Sequence, residues 1–371
     1  MEGVLIQIMA LVSLGLTVLA WRREPRLVWR FVPPETVTPV DAARFEKIFD
    51  YTAETGQAHS PAILLDDGDV VLAWFEGSEE AQADVDIRGV RLCPGTQGWK
   101  TVGPDLMMTR GELSDAFTPD QLVVTLGNTV QDDANPHSLF ATVVSVGGWA
   151  MASIARVRMG PRGPALAEKL SLSPFLNRSY LVKSPMVAMA DGTYALPAYF
   201  EMGATYGSFI RFDRHGRVCD ARRMTGQRTK PIQPMVVPLN ETDAVAFLRN
   251  FEPGGRLLIS GSEDGGQSWS VAQPIDIANP SAPVAALALG NGLVLMAMND
   301  QPAAADTLRL VLSEDEGLTW RVLKELEKDG GDARYPMLRR LGEDGFVLSY
   351  SHGTKRGIRA FYFNMAWVLE Q

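Results

Sequence analysis

Carboxylates crowd one short stretch of the sequence, Glu76-Gly-Ser-Glu79-Glu80-Ala-Gln-Ala-Asp84-Val-Asp86. A carboxylic acid kept protonated by its surroundings can hand a proton to a leaving group, and Glu79, Glu80 and Asp84 are the candidates for that chemistry. An acidic loop is also, more simply, a solvated one. Other groups able to bind or attack stand at the ends of apolar runs: His59 before Ser60-Pro61, Tyr199 and Glu201 after Leu196-Pro197, Gln233 before Pro234, Arg249 in Phe247-Leu-Arg249-Asn250, and Tyr335 before Pro336. Asn299 and Asp300 end another such run, and Lys355-Arg356 forms a basic tip. The four histidines and two cysteines have no metal-ligand spacing, and no cofactor or metal is implied. Cys93 and Cys219 read as free thiols, with one disulfide left open.

A repeat positions these residues. Polar-Pro dipeptides open apolar runs at Ser60-Pro61, Asn135-Pro136, Ser184-Pro185, Gln233-Pro234, Ala282-Pro283 and Tyr335-Pro336, and from Pro136 onward the prolines lie 49, 49, 49 and 53 residues apart. Proline at the start of a strand leaves no ladder bond unmade. Turn signals follow at Asp67-Gly68, Asp191-Gly192, Asn291-Gly292 and Asp344-Gly345. Six units of about fifty residues match six propeller blades of four strands. The longer interval from Pro61 to Pro136 places an insertion within residues 93–118. Residues 44–51 read as a strand that supplies the fourth member of the last blade and closes the ring, leaving no open edge. No helix of consequence is required after residue 21, apart from a short turn over residues 164–170.

Two further stretches are Ser262-Glu-Asp264-Gly-Gly266-Gln-Ser-Trp269 and Ser313-Glu-Asp315-Glu-Gly317-Leu-Thr-Trp320, 51 residues apart. Each reads as a hairpin turn whose Asp accepts local backbone N–H groups, whose Gly takes positive φ and whose Trp packs the turn onto the next strand. They resemble the Asp-box of the sialidase (BNR-repeat) superfamily, whose members are six-bladed β-propellers. The resemblance spans about residues 44–367 and implies an all-β propeller with its site at the axial mouth.

The resemblance also implies roles. His59 stands where the family has a carboxylate-binding arginine, and Arg249 matches a second. A third arginine is missing, with Ala303, Ala304 and Ala305 in its place and Arg309 too late. Tyr335 stands in the place of the tyrosine nucleophile, Gln233 where a Glu would activate it, and Glu79, Glu80 or Asp84 where the acid/base carboxylate would be. Glu76, Tyr199, Asn299, Asp300 and Arg356 are further candidates for substrate contact. The implied activity is that of an exo-glycosidase acting on an envelope or extracellular glycan with an altered arginine set; the alternative is a glycan-binding or scaffold propeller without catalysis.

The net charge of −9 argues against nucleic acid as a partner. Residues 4–21 are uncharged and largely apolar and read as a membrane anchor or signal segment, with residues 22–43 a Pro-rich extended tether and residues 44–371 the propeller. Arg22, Arg23, Arg26 and Arg30 follow the apolar stretch, a bias that would keep the C-terminal side inside. The family resemblance points the other way, to a periplasmic or extracellular propeller on a membrane anchor.

Overall fold

A computed structural model describes residues 2–23, 27–96, 98–173, 178–252 and 254–371. Within them the chain forms six antiparallel sheets. The first described strand, β1 (Phe45–Thr52), belongs to the last sheet. Blade 1 is β2 (Gln57–Asp66), β3 (Asp69–Gly77), β4 (Asp86–Gly95) and β5 (Gly98–Met108). Blade 2 is β6 (Thr125–Gln131), β7 (Ser138–Val144), β8 (Ala152–Gly160) and β9 (Gly163–Lys169). In blade 3 the innermost strand is split into β10 (Tyr180–Val182) and β11 (Val187–Ala188), followed by β12 (Tyr194–Phe200), β13 (Tyr206–Phe212) and β14 (Val218–Thr225). Blade 4 is β15 (Pro231–Pro238), β16 (Ala244–Asn250), β17 (Gly255–Ser262) and β18 (Gln273–Asn279). Blade 5 is β19 (Ala285–Gly290), β20 (Leu293–Met298), β21 (Leu308–Ser313) and β22 (Arg321–Glu327). Blade 6 is β23 (Arg334–Leu341), β24 (Gly345–His352), β25 (Gly357–Asn364) and then β1. The first strands of neighbouring blades pack on one another around the ring, blade 6 against blade 1 included. This is the six-bladed propeller expected from the repeat, closed as expected by the strand near residue 45.

The buried apolar residues alternate between the two faces of each sheet. They form clusters between blades, such as Trp74, Phe140, Ile210 and Val347 in one and Phe346, Phe363 and Leu310 in another. The two Asp-boxes join third to fourth strands in blades 4 and 5. The Asp264 carboxylate accepts the Ser268 backbone N–H at 2.8 Å, and the Ser262 hydroxyl accepts the Gly266 N–H at 2.9 Å. Asp315, Thr319, Ser313 and Gly317 repeat both bonds at 2.8 Å. Trp269 packs edge-on against Phe209 of blade 3, and Trp320 against Phe247 of blade 4. Each box therefore pins its own hairpin and staples its blade to the preceding one.

Three local readings are corrected. Residues 164–170 lie largely in the strand β9, because their alternation pairs them with β8. A helix stands where none was required, α2 (Arg110–Ala116), counting α1 (Glu2–Arg23) as the first. Thr109 and Glu112 close its N-terminus as a reciprocal capping box. A third, α3 (Met365–Glu370), ends the chain with Asn364 as its cap. Blade 2 opens at β6, and Asn135-Pro136 sits in the turn between β6 and β7 rather than at the opening.

The N-terminal segment is extended, as its prolines imply, but from residue 28 it is strapped to the propeller. The Phe31 N–H donates to the Glu241 carbonyl at 2.8 Å, Val37 N–H to Leu289 at 2.9 Å and Val40 N–H to the Asp344 carboxylate at 2.9 Å. Phe31 is fully buried between blades 3 and 4, and Trp29 stacks on the guanidinium groups of Arg211 and Arg222. The strap crosses the first hairpin turns of blades 3 to 6, on the face opposite the strand openings. Among the described residues, no helix is long and apolar enough to cross a membrane. The stretch read as an anchor or signal segment, residues 1–21, forms the helix α1 from residue 2 onward. Cys93 and Cys219 are free.

Candidate functional site

The strand openings share one distortion. The ladders between first and second strands slip between His59 and Ala62, Leu126 and Thr129, Ile232 and Met235, and Arg334 and Met337. In three of these bulges the residue before the proline is left-handed: Ser60 at φ 56°, Gln233 at 50° and Tyr335 at 57°. Ser281, just ahead of β19, has φ 53°. A bulge re-aims one side chain, and a proline within it forfeits no N–H. In blades 1, 4 and 6 the polar-Pro dipeptide thus sits in a bulge that re-aims its polar side chain. The bulges are also bonded to one another: the Ser60 N–H donates to the Ser351 hydroxyl at 2.8 Å, the Ser60 hydroxyl to the Asn128 side-chain carbonyl at 2.6 Å, and the Asn128 amide to the Val182 carbonyl at 3.1 Å.

Around them opens a polar cavity of about 430 Å³, lined by residues from blades 1 to 4 and blade 6. One wall is a continuous chain of hydrogen bonds. The Gln233 amide donates to the Tyr199 hydroxyl at 3.1 Å. Arg249 Nη1 donates to the Gln233 carbonyl oxygen at 3.2 Å and to the Tyr335 hydroxyl at 3.4 Å, and Arg249 Nε to the Ser281 hydroxyl at 3.0 Å. Burial, with Tyr335 and Glu201 beside it, pushes the Tyr199 phenol well above its ordinary range.

His59 lies against this wall, its ring edge-on to Tyr335 at 4.6 Å and to Phe75 at 5.3 Å. It is 1% exposed, and neither ring nitrogen has a hydrogen-bond partner among the described residues. Burial, and then Lys355, Arg334 and Arg249, hold its pKa well below the usual imidazole value. These surroundings disfavour the protonated form that a carboxylate partner would need.

Of the charged groups, Lys355 is ion-paired with Glu80, and Arg334 with Asp332 at 2.9 Å while it also donates to the Ser281 carbonyl at 3.0 Å. Arg249 has no carboxylate within ion-pair distance among the described residues. Glu201, at the end of β12, is raised by burial, against the pull of Arg249.

The expected residues divide cleanly. His59, Glu80, Tyr199, Gln233, Arg249 and Tyr335 line the cavity. Glu79 is exposed outside it, and Asp84 is held low by the Ser78 hydroxyl and N–H at 2.9 and 3.0 Å, where it ties the acidic loop. Glu76 accepts from the Tyr51 hydroxyl and the Trp74 indole and pairs with Arg88. Asn299 is buried, its amide donating to the Ala305, Thr307 and Ala333 carbonyls; Asp300 pairs with Arg309; Arg356 is exposed. These six do not line the cavity. Arg334, Asp332 and Asn128 line it without having been singled out, Lys355 lines it from the basic tip, and Arg334 was legible as the neighbour of Tyr335.

The model of the BNR repeat-like domain matches residues 68–348. No curated protein matches the chain by sequence. Among solved structures, a protein of unknown function from Dyadobacter fermentans is 16% identical, with a TM-score of 0.66 over 86% of this chain and 99% of that one. The Hadza microbial sialidase Hz136 is 15% identical, with a TM-score of 0.63 over 82% of this chain and 65% of that one. Trypanosoma rangeli sialidase in complex with the inhibitor DANA is 11% identical, with a TM-score of 0.62 over 92% of this chain and 60% of that one. The chain thus spans less than two thirds of these two sialidases, and at such identities the likeness is one of fold.

Proposed function

Since the chain belongs to the BNR repeat-like domain family and folds as a sialidase-like propeller, we propose that it is a carbohydrate-active enzyme, an exo-glycosidase that takes one terminal sugar of a glycan into the axial cavity. The observation that carries this reading is the Tyr335 hydroxyl facing the cavity with the Arg249 guanidinium against it.

Tyr335 attacks the anomeric carbon and forms a glycosyl-enzyme bond, which water then breaks. Arg249 stabilises the phenolate and offers its remaining N–H groups to an acidic substituent on the sugar. Gln233 can hydrogen-bond but cannot take a proton, so the phenol proton leaves to water in the cavity. Glu201, whose pKa burial raises, gives its proton to the leaving oxygen. Glu80 is engaged by Lys355, which suits it to holding a sugar hydroxyl.

A second reading is favoured by one specific feature: no carboxylate touches Tyr335 among the described residues. In that reading the cavity binds a glycan without cleaving it. A panel of aryl glycosides separates the two. Release of the aryl group, lost in Tyr335→Phe, supports the first; glycan binding with no release from any member overturns it.

A further inference from the structure

Beneath the cavity, on the propeller axis, lies a lysine that the proposed chemistry does not use. Lys183 follows β10, is 3% exposed, and occupies in blade 3 the place that His59 and Arg334 take in blades 1 and 6, immediately before the Ser-Pro or Tyr-Pro pair. Its side chain crosses the axis. Nζ donates to the Val284 carbonyl of blade 5 at 2.8 Å and to the Pro336 carbonyl of blade 6 at 2.7 Å. Pro336 is the residue that follows Tyr335, whose left-handed backbone is held by this same bulge. Leu181 lines the cavity on one side of the lysine, and Pro185 and Met186 line the apolar mouth at the other end of the axis, so Lys183 forms the plug between them.

The donor count is informative. A neutral amine has two N–H groups and an ammonium three. Two carbonyls accept here, and no carboxylate pairs with Nζ among the described residues. An ammonium would leave one N–H unmatched and a whole charge buried without a counterion. The titratable and charged groups on the strands around the axis are His59 and Asp66 on β2, Tyr180 on β10, Tyr194 and Tyr199 on β12, and Arg334, Tyr335, Arg339 and Arg340 on β23; none bonds to Nζ, whose partners are the two carbonyls. Burial by itself lowers the lysine to about 7.

We propose that Lys183 is a positioning residue for Tyr335: an uncharged cross-link whose two N–H groups fix the peptide carrying the tyrosine, and which loosens that peptide when it takes up a proton. The tyrosine would then be best placed above neutral pH and less well placed below it, with the switch lying under the site rather than in it. This rests on reading Tyr335 as the attacking group, but the placement itself can be measured without turnover.

The test places 4-fluorophenylalanine, a reporter that does not titrate, at position 335 and follows its fluorine resonance across neutral pH. The expected result is a single titration step with a midpoint near 7 that disappears with Lys183→Met and persists with His59→Gln. A step that survives Lys183→Met, one that vanishes with His59→Gln, or no step at all overturns the proposal. If Lys183→Met does not fold, carbon-13 at lysine Cε in the unsubstituted protein decides: one resonance titrating near neutrality, lost in Lys183→Arg, is expected. All lysines titrating only at alkaline pH would overturn it. A chain that hydrolyses nothing yet shows the step refutes the catalytic reading and leaves the positioning role standing.

Discussion

Arg249 and Tyr335, 86 residues apart in sequence and on different blades, meet at 3.4 Å between guanidinium nitrogen and phenol oxygen. The contact exists because β16 delivers the arginine and a left-handed bulge at the start of β23 turns the tyrosine inward. It joins the group proposed to attack to the group proposed to hold the charge that attack creates.

Replacing Arg249 by Met should weaken both functions. A hydrogen bond to a charged group contributes about 1.5–3 kcal/mol, so kcat/KM should fall by roughly one to two orders of magnitude. Arg249→Lys should recover only part of the loss, because an ammonium cannot reach Gln233, Ser281 and Tyr335 from one planar fork. Steady-state kinetics on the best substrate of the panel checks this. Equal rates in all three proteins would remove Arg249 from the mechanism.

The pH profile follows from Lys183 and Glu201. Protonation of Lys183 loosens the peptide that carries Tyr335, so activity should fall below neutral pH. Glu201 must be protonated to donate, so activity should fall as pH rises through its raised pKa. Glu201→Gln should lower kcat by about 10²–10⁴ and abolish that alkaline fall; a profile unchanged in shape would assign the proton to another group.

The propeller was legible in the sequence because its signals are local and periodic. A proline can open a strand and a Gly can turn a hairpin without reference to the rest of the chain, and the two Asp-boxes fixed the period. Asn135-Pro136 misled, because the same dipeptide also suits a turn, and only the pairing of β6 with β7 distinguishes the two. The capping box Thr109-Arg-Gly-Glu112 was a readable helix signal that the density of turn residues around it obscured. Within the site, strand openings announced His59, Gln233 and Tyr335. The acidic loop did not say which carboxylate faces inward, since that depends on Ser78 capturing Asp84 and Lys355 capturing Glu80. The pairing of Lys183 with carbonyls on two other blades has no sequence signature at all.

The boxes should matter for stability. Gly266 has φ +87°, and a Cβ there would lie 2.7 Å from the Phe209 ring. Gly266→Ala should destabilise the protein by about 1–3 kcal/mol from backbone strain, and by more once the ring is displaced. An unchanged melting temperature would mean the box does not bear on blade packing.

Acid should loosen the same turns. The Thr319 hydroxyl and N–H, with Ser313, hold the Asp315 carboxyl down to about 2. Burial tends to raise Asp264, but its bonds from Ser268 and Ser262 outweigh that and leave it lowered. A carboxyl with a depressed folded pKa stabilises fully above its unfolded pKa of about 4 and loses that contribution as pH falls through the folded value. Denaturant unfolding of Asp315→Asn should show less loss of stability between about pH 4 and 2 than the unsubstituted protein.

At alkaline pH the buried lysine gives a slope of the same sign. Lys183 is depressed to about 7, so between there and its unfolded value of about 10.4 the unfolded chain binds the extra proton. Stability should rise with pH across that window, at up to about 1.4 kcal/mol per pH unit from this group. Lys183→Met should flatten the rise; an identical slope in both proteins would mean the lysine is charged in the folded state.

The account turns on a covalent bond to Tyr335. Incubating the protein with 2-fluoro glycosyl fluorides of the sugars it accepts, then locating the adduct by peptide mass spectrometry, tests this directly. One sugar should be found on Tyr335, and none in Tyr335→Phe. Hydrolysis accompanied by an adduct on Glu80 or Glu201, or by no adduct at all, would contradict it.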